Sequence, residues 1–564
     1  MGPAVHEALA EAIVDEGVEV AFALMGDGNK RLLADLAGAG VRLVQARHEG
    51  AALAMADGYA RVSGRPGFCA VTYGPGVAQL STSLLVARTH GTPLVVFAAD
   101  AERATRDGGG PLDVDERALL QAAGAAVHEV CRPQDAVRAV RAAFALARAR
   151  SRPSALLVAV DLQDERAPEW TSDPSPGART LPSSGWLDPG AGPVPDPGAL
   201  RRAASLLRRA RRPLVLAGAG ARGPGVREAT LALADELDAR VATTFGAKGL
   251  FDRHPRDLGV VGGFGLEASR QVVRHADALL ALGAGLNAHT TEGGALFSAA
   301  AVVQVDRDPS APLRAAVPVA LALHADAGQA AEGLRRALAE RRGAEGGALG
   351  APAAVGGGGW DEVAGPRVDP RLAQLERVRA AREPDRLDPR LALLRLDEML
   401  PDDAVVVVGG GHFMAFAVQF LSNPGRRSFE MVFDAMTTGQ ALPEAIGAAV
   451  GVPDRPVVAV EGDASFLMHV GEVETAVRSG VDLGVVVIDD GALGAEYHKL
   501  AALGLDAALA LAPGPDLGRV AEALGGAGRR VTSLEQLDTL GPWLVGGGVR
   551  VLDCAVTRSV VGPL

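Results

Sequence analysis

Cysteine is nearly missing from this chain: Cys69, Cys131 and Cys554 are the three in 564 residues, too few and too scattered for a disulfide framework or a zinc site. A reducing, cytoplasmic setting is the expectation. An excess of positive charge is also missing. The formal net charge is -12, which argues against nucleic acid as a partner, because neutralising phosphates needs a basic face. No run of about 20 apolar residues occurs, and the opening "MGPAVHEALAEAIVDEG" lacks the charged start, apolar run and small-residue cleavage site of a signal peptide. Neither export nor membrane insertion is expected.

What is present is the balance of a globular protein, with 48% hydrophobic and 22% charged residues. A single core stops growing efficiently at roughly 250 to 300 residues, so several domains are implied, and three is the expected number. Residues 1–166 alternate helical periods with the apolar runs "VRLVQA", "GFCAVTY", "TPLVVFAA" and "SALLVAVD". A Pro-, Ser- and Gly-rich stretch, 167–198, reads as a linker. A second unit, 199–341, carries "PLVLAG", "RVATT", "ALLALG" and "AVVQVD", and the low-complexity stretch 342–384 marks the next boundary. The third unit, 385–564, has "AVVVVGGG", "PVVAVEGD", "LGVVVIDDG" and "VRVLDCAV". Strand and helix alternating in this way predict an α/β fold of three doubly wound, mostly parallel sheets. No residue-level repeat among the units is evident.

Three segments carry chemistry. In "VEGDASFLMHVGEVETAVRSGVDLGVVVIDDGALGAE", Asp463 follows one strand and Asp490 the next, so both acidic turns fall at the carboxyl edge of a parallel sheet. There they are placed to share one hard cation, while the helix near Ser465 turns its first amides toward a phosphate. Two ordinary acidic turns would look alike. In "VQARHEGAALAMADGYARVSG", Glu49 opens a helix, where the dipole favours a carboxylate whatever its role. In the middle unit, "GAGARG" (218–223) satisfies G-x-G-x-x-G after a strand, a weak dinucleotide fingerprint.

Taken in order, these segments resemble the thiamine-diphosphate-dependent enzymes of the acetolactate synthase and 2-oxo acid decarboxylase superfamily. The resemblance implies that Asp463, Asp490 and the carbonyl of Ala492 bind magnesium, with Gly462, Ala464 and Ser465 at the diphosphate. Two departures stand out: Ala464 replaces a family glycine, and Asp489-Asp490 replaces Asn-Asn. An aspartate at 490 keeps an oxygen ligand and adds charge. Glu49 takes the place of the glutamate that hydrogen-bonds the aminopyrimidine and favours its imino tautomer, from which the ylide forms. "TYGPGVAQ" resembles the family's Gly-Pro-Gly loop, with Gly74 in it and Gln79 where Asn is usual. "GGGHFM" resembles a diphosphate-contacting turn, making His412 an anion donor. "TTGQALPEAIGAAVG" resembles the support beneath the bent cofactor, placing Thr438, Gly439 and Leu442 there.

The middle unit, through "HPRDLGVVGGFG", resembles an acetolactate synthase domain that often binds FAD and in several relatives does not. The implied reaction is decarboxylation of a 2-oxo acid followed by transfer of the enamine to an acceptor carbonyl. The alternative is protonation to an aldehyde. "LDVDERALLQAAGA" keeps only Glu116 of the synthase pattern there, while Glu496 stands where decarboxylases place a catalytic glutamate. A flavin or nicotinamide oxidoreductase and a catalytically silent regulatory homologue are the readings from other classes. In the family the cofactor lies between two subunits, so a homodimer or homotetramer is implied, with a small-molecule 2-oxo acid as substrate.

Overall fold

The computed structural model describes residues 2–106, 108, 110, 112, 114–168, 192–345, 359–360, 383–423, 427–432, 435 and 437–562. Most of the two expected linkers lies outside these residues. The first sheet holds β1 (Val20–Ala23), β2 (Arg42–Gln45), β3 (Gly67–Val71), β4 (Leu94–Asp100), β5 (Ala126–Val130) and β6 (Ser154–Ala159), in the order β2-β1-β3-β4-β6-β5. The second holds β7 (Pro213–Ala217), β8 (Arg240–Thr243), β9 (Asp257–Val260), β10 (Ala278–Leu282), β11 (Ala301–Asp306) and β12 (Val319–His324), ordered β12-β11-β10-β7-β8-β9. The third holds β13 (Val405–Val408), β14 (Ser428–Met431), β15 (Val457–Gly462), β16 (Leu483–Asp489), β17 (Ala527–Val531) and β18 (Val549–Ala555), ordered β14-β13-β15-β16-β18-β17.

Every strand pairing is parallel, as expected for sheets with both faces under helices. Full burial explains the unbroken runs such as Val405–Val408 and Leu483–Asp489, in which no residue faces water. The first and third sheets share one strand order, so the chain does contain a topological repeat, although its residues have diverged too far to show it. In the third sheet the order reverses between β13 and β15. At that switch point the chain leaves in opposite directions, the arrangement in which open sheets form a crevice at their carboxyl ends.

The first and third units meet along two helices, Glu49–Ser63 and Ala441–Gly451. They cross at backbone contact. A Cβ at Gly58 would lie 2.1 Å from the Glu444 carbonyl oxygen, and one at Gly447 would lie 1.8 Å from that of Met55. Met55, Leu442 and Ile446 are fully buried in the shared core.

Candidate active site

Four turns of the third unit converge on its switch point: 409–412 after β13, 438–442 before a helix, 462–465 after β15 and 490–494 after β16. Asp463 begins the helix Asp463–Met468 and is buried. Burial, then the neighbouring Asp490 and Asp489 charges, push its carboxyl up to about 7. Asp490 is raised to about 6, chiefly by burial. One of its oxygens accepts from Ala492 N at 2.9 Å and the other lies 4.0 Å from His412 Nδ1. Two carboxyls that resist ionising together form a donor set suited to a hard cation.

Ala464 lies in the first helical turn and has no positive φ, so the replacement of glycine there costs no backbone strain. Asp489 turns away from Asp490: its Oδ1 accepts from Gly491 N and its Oδ2 pairs with Arg530 Nη2 at 2.9 Å. Arg530 offsets part of its extra charge, although that charge still raises Asp463.

His412 opens the helix His412–Phe420. Its Nε2 accepts from Gly562 N at 2.9 Å, and burial, helped by His498, holds the ring down to about 4. A neutral ring accepting at Nε2 carries its proton on Nδ1, on the Asp490 side. Ser465 Oγ accepts from Gly439 N at 3.3 Å and donates to the Gly410 carbonyl at 3.2 Å, so its hydroxyl is spent within the protein. Gly439 has φ +81, and a Cβ there would crowd Met468 and His469. Thr438 is exposed, its hydroxyl 3.4 Å from Met468 Sδ. Leu442 sends its side chain into the core, so only its backbone faces this site. Glu496 is 56% exposed and pairs with Lys499 at 3.3 Å on the helix Gly494–Ala502.

In the first unit, Glu49 follows His48, whose Nδ1 accepts from Gly50 N at 3.0 Å and so caps the helix. The Gly74–Gln79 turn leans on this point: a Cβ at Gly76 would lie 3.5 Å from Glu49 Oε1, and one at Gly50 2.9 Å from the Gln79 carbonyl. Gly74 has φ +67 and donates to Glu116 Oε1 at 2.9 Å. Glu116 is buried against Asp100, and burial lifts it to about 7. Gln79 is exposed. The two half-sites touch through His48 and His469, whose rings stand 5.5 Å apart edge to face. Sequence reasoning missed Asp100 and Glu461; nothing in a strand-end carboxylate announces which amide it will reach.

Comparison with known proteins covers all three units. Residues 3–121 match the thiamine pyrophosphate enzyme N-terminal TPP binding domain, 200–334 the central domain, and 403–552 the C-terminal TPP binding domain. A probable 2-ketoarginine decarboxylase of Pseudomonas aeruginosa is 31% identical over 94% of this chain and 90% of its own. The chain belongs to the thiamine-diphosphate-dependent enzyme superfamily. Other members similar to it are a sulfoacetaldehyde acetyltransferase of Rhodobacter capsulatus, at 30% identity over 84% of this chain and 80% of the relative, and a probable acetolactate synthase large subunit of Methanocaldococcus jannaschii, at 27% over 94% and 88%.

As a thiamine-diphosphate enzyme it keeps the family's central domain, and FAD, doubtful from the sequence, finds no support. In "GAGARG" a Cβ at Gly218 would lie 2.2 Å from the Gly283 carbonyl oxygen, so that glycine serves close packing. Arg222 reaches across to Glu430 of the third unit at 2.7 Å. The next helix starts at Val226, beyond the fingerprint, and its first amide donates to the Gly223 carbonyl at 3.3 Å.

Proposed function

We propose that the protein decarboxylates a 2-oxo acid and transfers the remaining fragment to an acceptor carbonyl, as a magnesium-assisted carboligase. The convergence of Asp463 and Asp490 at the switch point carries this reading. Asp463, Asp490 and the Ala492 carbonyl hold the cation; His412 Nδ1 and the first amides of the 463–468 helix hold the diphosphate, with Gly462, Ala464 and Ser465 shaping that turn. Bound thiamine diphosphate supplies a nucleophilic carbon and an electron sink. Glu49 hydrogen-bonds a pyrimidine nitrogen and manages its proton, while the Gly74–Gln79 turn and the Thr438–Gly439 turn set the cofactor's position.

A second copy of the chain completes the site. Apolar side chains stand exposed beside the third-unit crevice, among them Met468 at 59%, Leu493 at 49% and Leu509 at 78%, and beside the first-unit turn, among them Met25, Leu112 and Val114. Release as an aldehyde is the second reading. It is favoured by the helix Gly494–Ala502, which carries Glu496 and brings His498 to 4.7 Å from the His412 ring.

The test is a screen of 2-oxo acids for carbon dioxide release, with product analysis in the presence of acceptor aldehydes and oxo acids. Release accompanied by a coupled product supports the carboligase; aldehyde alone assigns the second reading, and no release from any 2-oxo acid refutes both.

A further inference from the structure

The helix Ala441–Gly451 follows directly on the Thr438–Gly439 turn, yet it has no cap of its own. Gln440, at the N-cap position, has right-handed helical backbone angles (φ -94, ψ -17) and makes no side-chain cap bond. Its amide oxygen instead accepts from Ser83 Oγ at 3.0 Å. The first amides of a helix need acceptors, more so when the helix end is buried. They find them on the neighbouring strand. Glu461, fully buried and the penultimate residue of β15, accepts from Ala441 N through Oε1 at 3.3 Å and from Leu442 N through Oε2 at 3.1 Å. The same Oε1 lies 3.1 Å from where a Cβ on Gly409 would stand, so the 409–411 turn packs on it as well.

We propose that Glu461 is a positioning residue: a cap supplied in space by the strand that ends in Gly462-Asp463, locking the cofactor-support turn at 438–442 to the cation turn at 462–463. Ser465, tying Gly439 N to the Gly410 carbonyl, is the second stitch between the same turns. A glutamine at 461 would set an amide donor against a backbone donor and lose one of the two bonds. This role rests on the thiamine-diphosphate site described under Proposed function.

The experiment pairs two readouts on wild type, Glu461→Gln and Glu461→Asp. In metal-free protein, hydrogen exchange across residues 437–446 reports the cap without any cofactor. Calorimetry then gives the thiamine diphosphate Kd at saturating magnesium. The expected result is faster exchange confined to 437–446 and a Kd raised roughly 10-fold in Glu461→Gln, the scale of one lost hydrogen bond. Glu461→Asp, which keeps the carboxyl but is one methylene shorter, carries the comparison if the glutamine variant does not fold, and the same direction is expected of it. Unchanged exchange with a Kd within about twofold of wild type overturns the role of Glu461 alone. A wild type that binds no cofactor overturns the site on which the role rests.

Discussion

At the scale of single residues, the site's chemistry turns on two carboxyls that do not ionise freely. Asp463 near 7 and Asp490 near 6 sit above their ordinary values through burial, and for Asp463 through its acidic neighbours too. Raised acids add stability below about pH 4 and lose it as pH climbs through 6 to 7, so metal-free protein should melt lower at pH 8 than at pH 5. Magnesium binds the ionised forms and should reverse that fall, with affinity rising across the same window and protons released. Titrations in buffers of different ionisation enthalpy check this; an affinity flat from pH 5.5 to 7.5 would take Asp463 and Asp490 out of the cation pocket. Asp489→Asn should leave magnesium affinity within about threefold and cost at most ~1–3 kcal/mol of stability, because Arg530 loses one carboxyl partner and keeps Asp553. Denaturant unfolding reads the second effect. Glu49→Gln should abolish turnover while sparing cofactor binding, and unaltered turnover would strike Glu49 from its role.

At the scale of elements, glycine notches decide how the two halves approach. Alanine normally favours a helix over glycine by about 1 kcal/mol. At Gly447 a Cβ would stand 1.8 Å from a backbone oxygen, and overpacking of that kind costs about 1–3 kcal/mol or more, so Gly447→Ala should lower the melting temperature. Gly38→Ala is the control: nothing lies within 4 Å of a Cβ there, and it should be neutral or stabilising. The same scale shows what could be read from sequence. Every apolar run taken as a strand is one, because buried parallel strands are continuous hydrophobic stretches. The strands missed were β1, β5, β9, β12, β14 and β17, and all but β1 lie at sheet edges. Edge strands carry polar residues such as His128, Glu129, Glu430, Arg529 and Arg530, which blur the pattern. The acidic turns were legible because strand ends in a parallel sheet share an edge. The cap from Glu461 was not, since it joins elements twenty residues apart through an ordinary strand residue.

At the scale of the molecule, one buried charge cluster joins all three units. Arg61 and Arg222 both pair with Glu430; Arg61 also donates to Glu444, and His90 lies 2.8 Å from Asp57. Glu444 is held well above its ordinary value, first by burial and then by Asp57. Arg61→Ala would take the guanidinium from Glu444 and leave Glu430 with Arg222 alone, and should cost up to about 3–5 kcal/mol, read as a lower denaturation midpoint. The exposed apolar residues around both half-sites predict a dimer or larger assembly, and a light-scattering mass of one chain in active protein would contradict the shared site. The most direct test of the whole account is calorimetric titration of thiamine diphosphate into metal-stripped protein, with and without magnesium. The account predicts saturable binding that appears only with magnesium and disappears in Asp463→Ala. Binding indifferent to magnesium, or none at all, would contradict it.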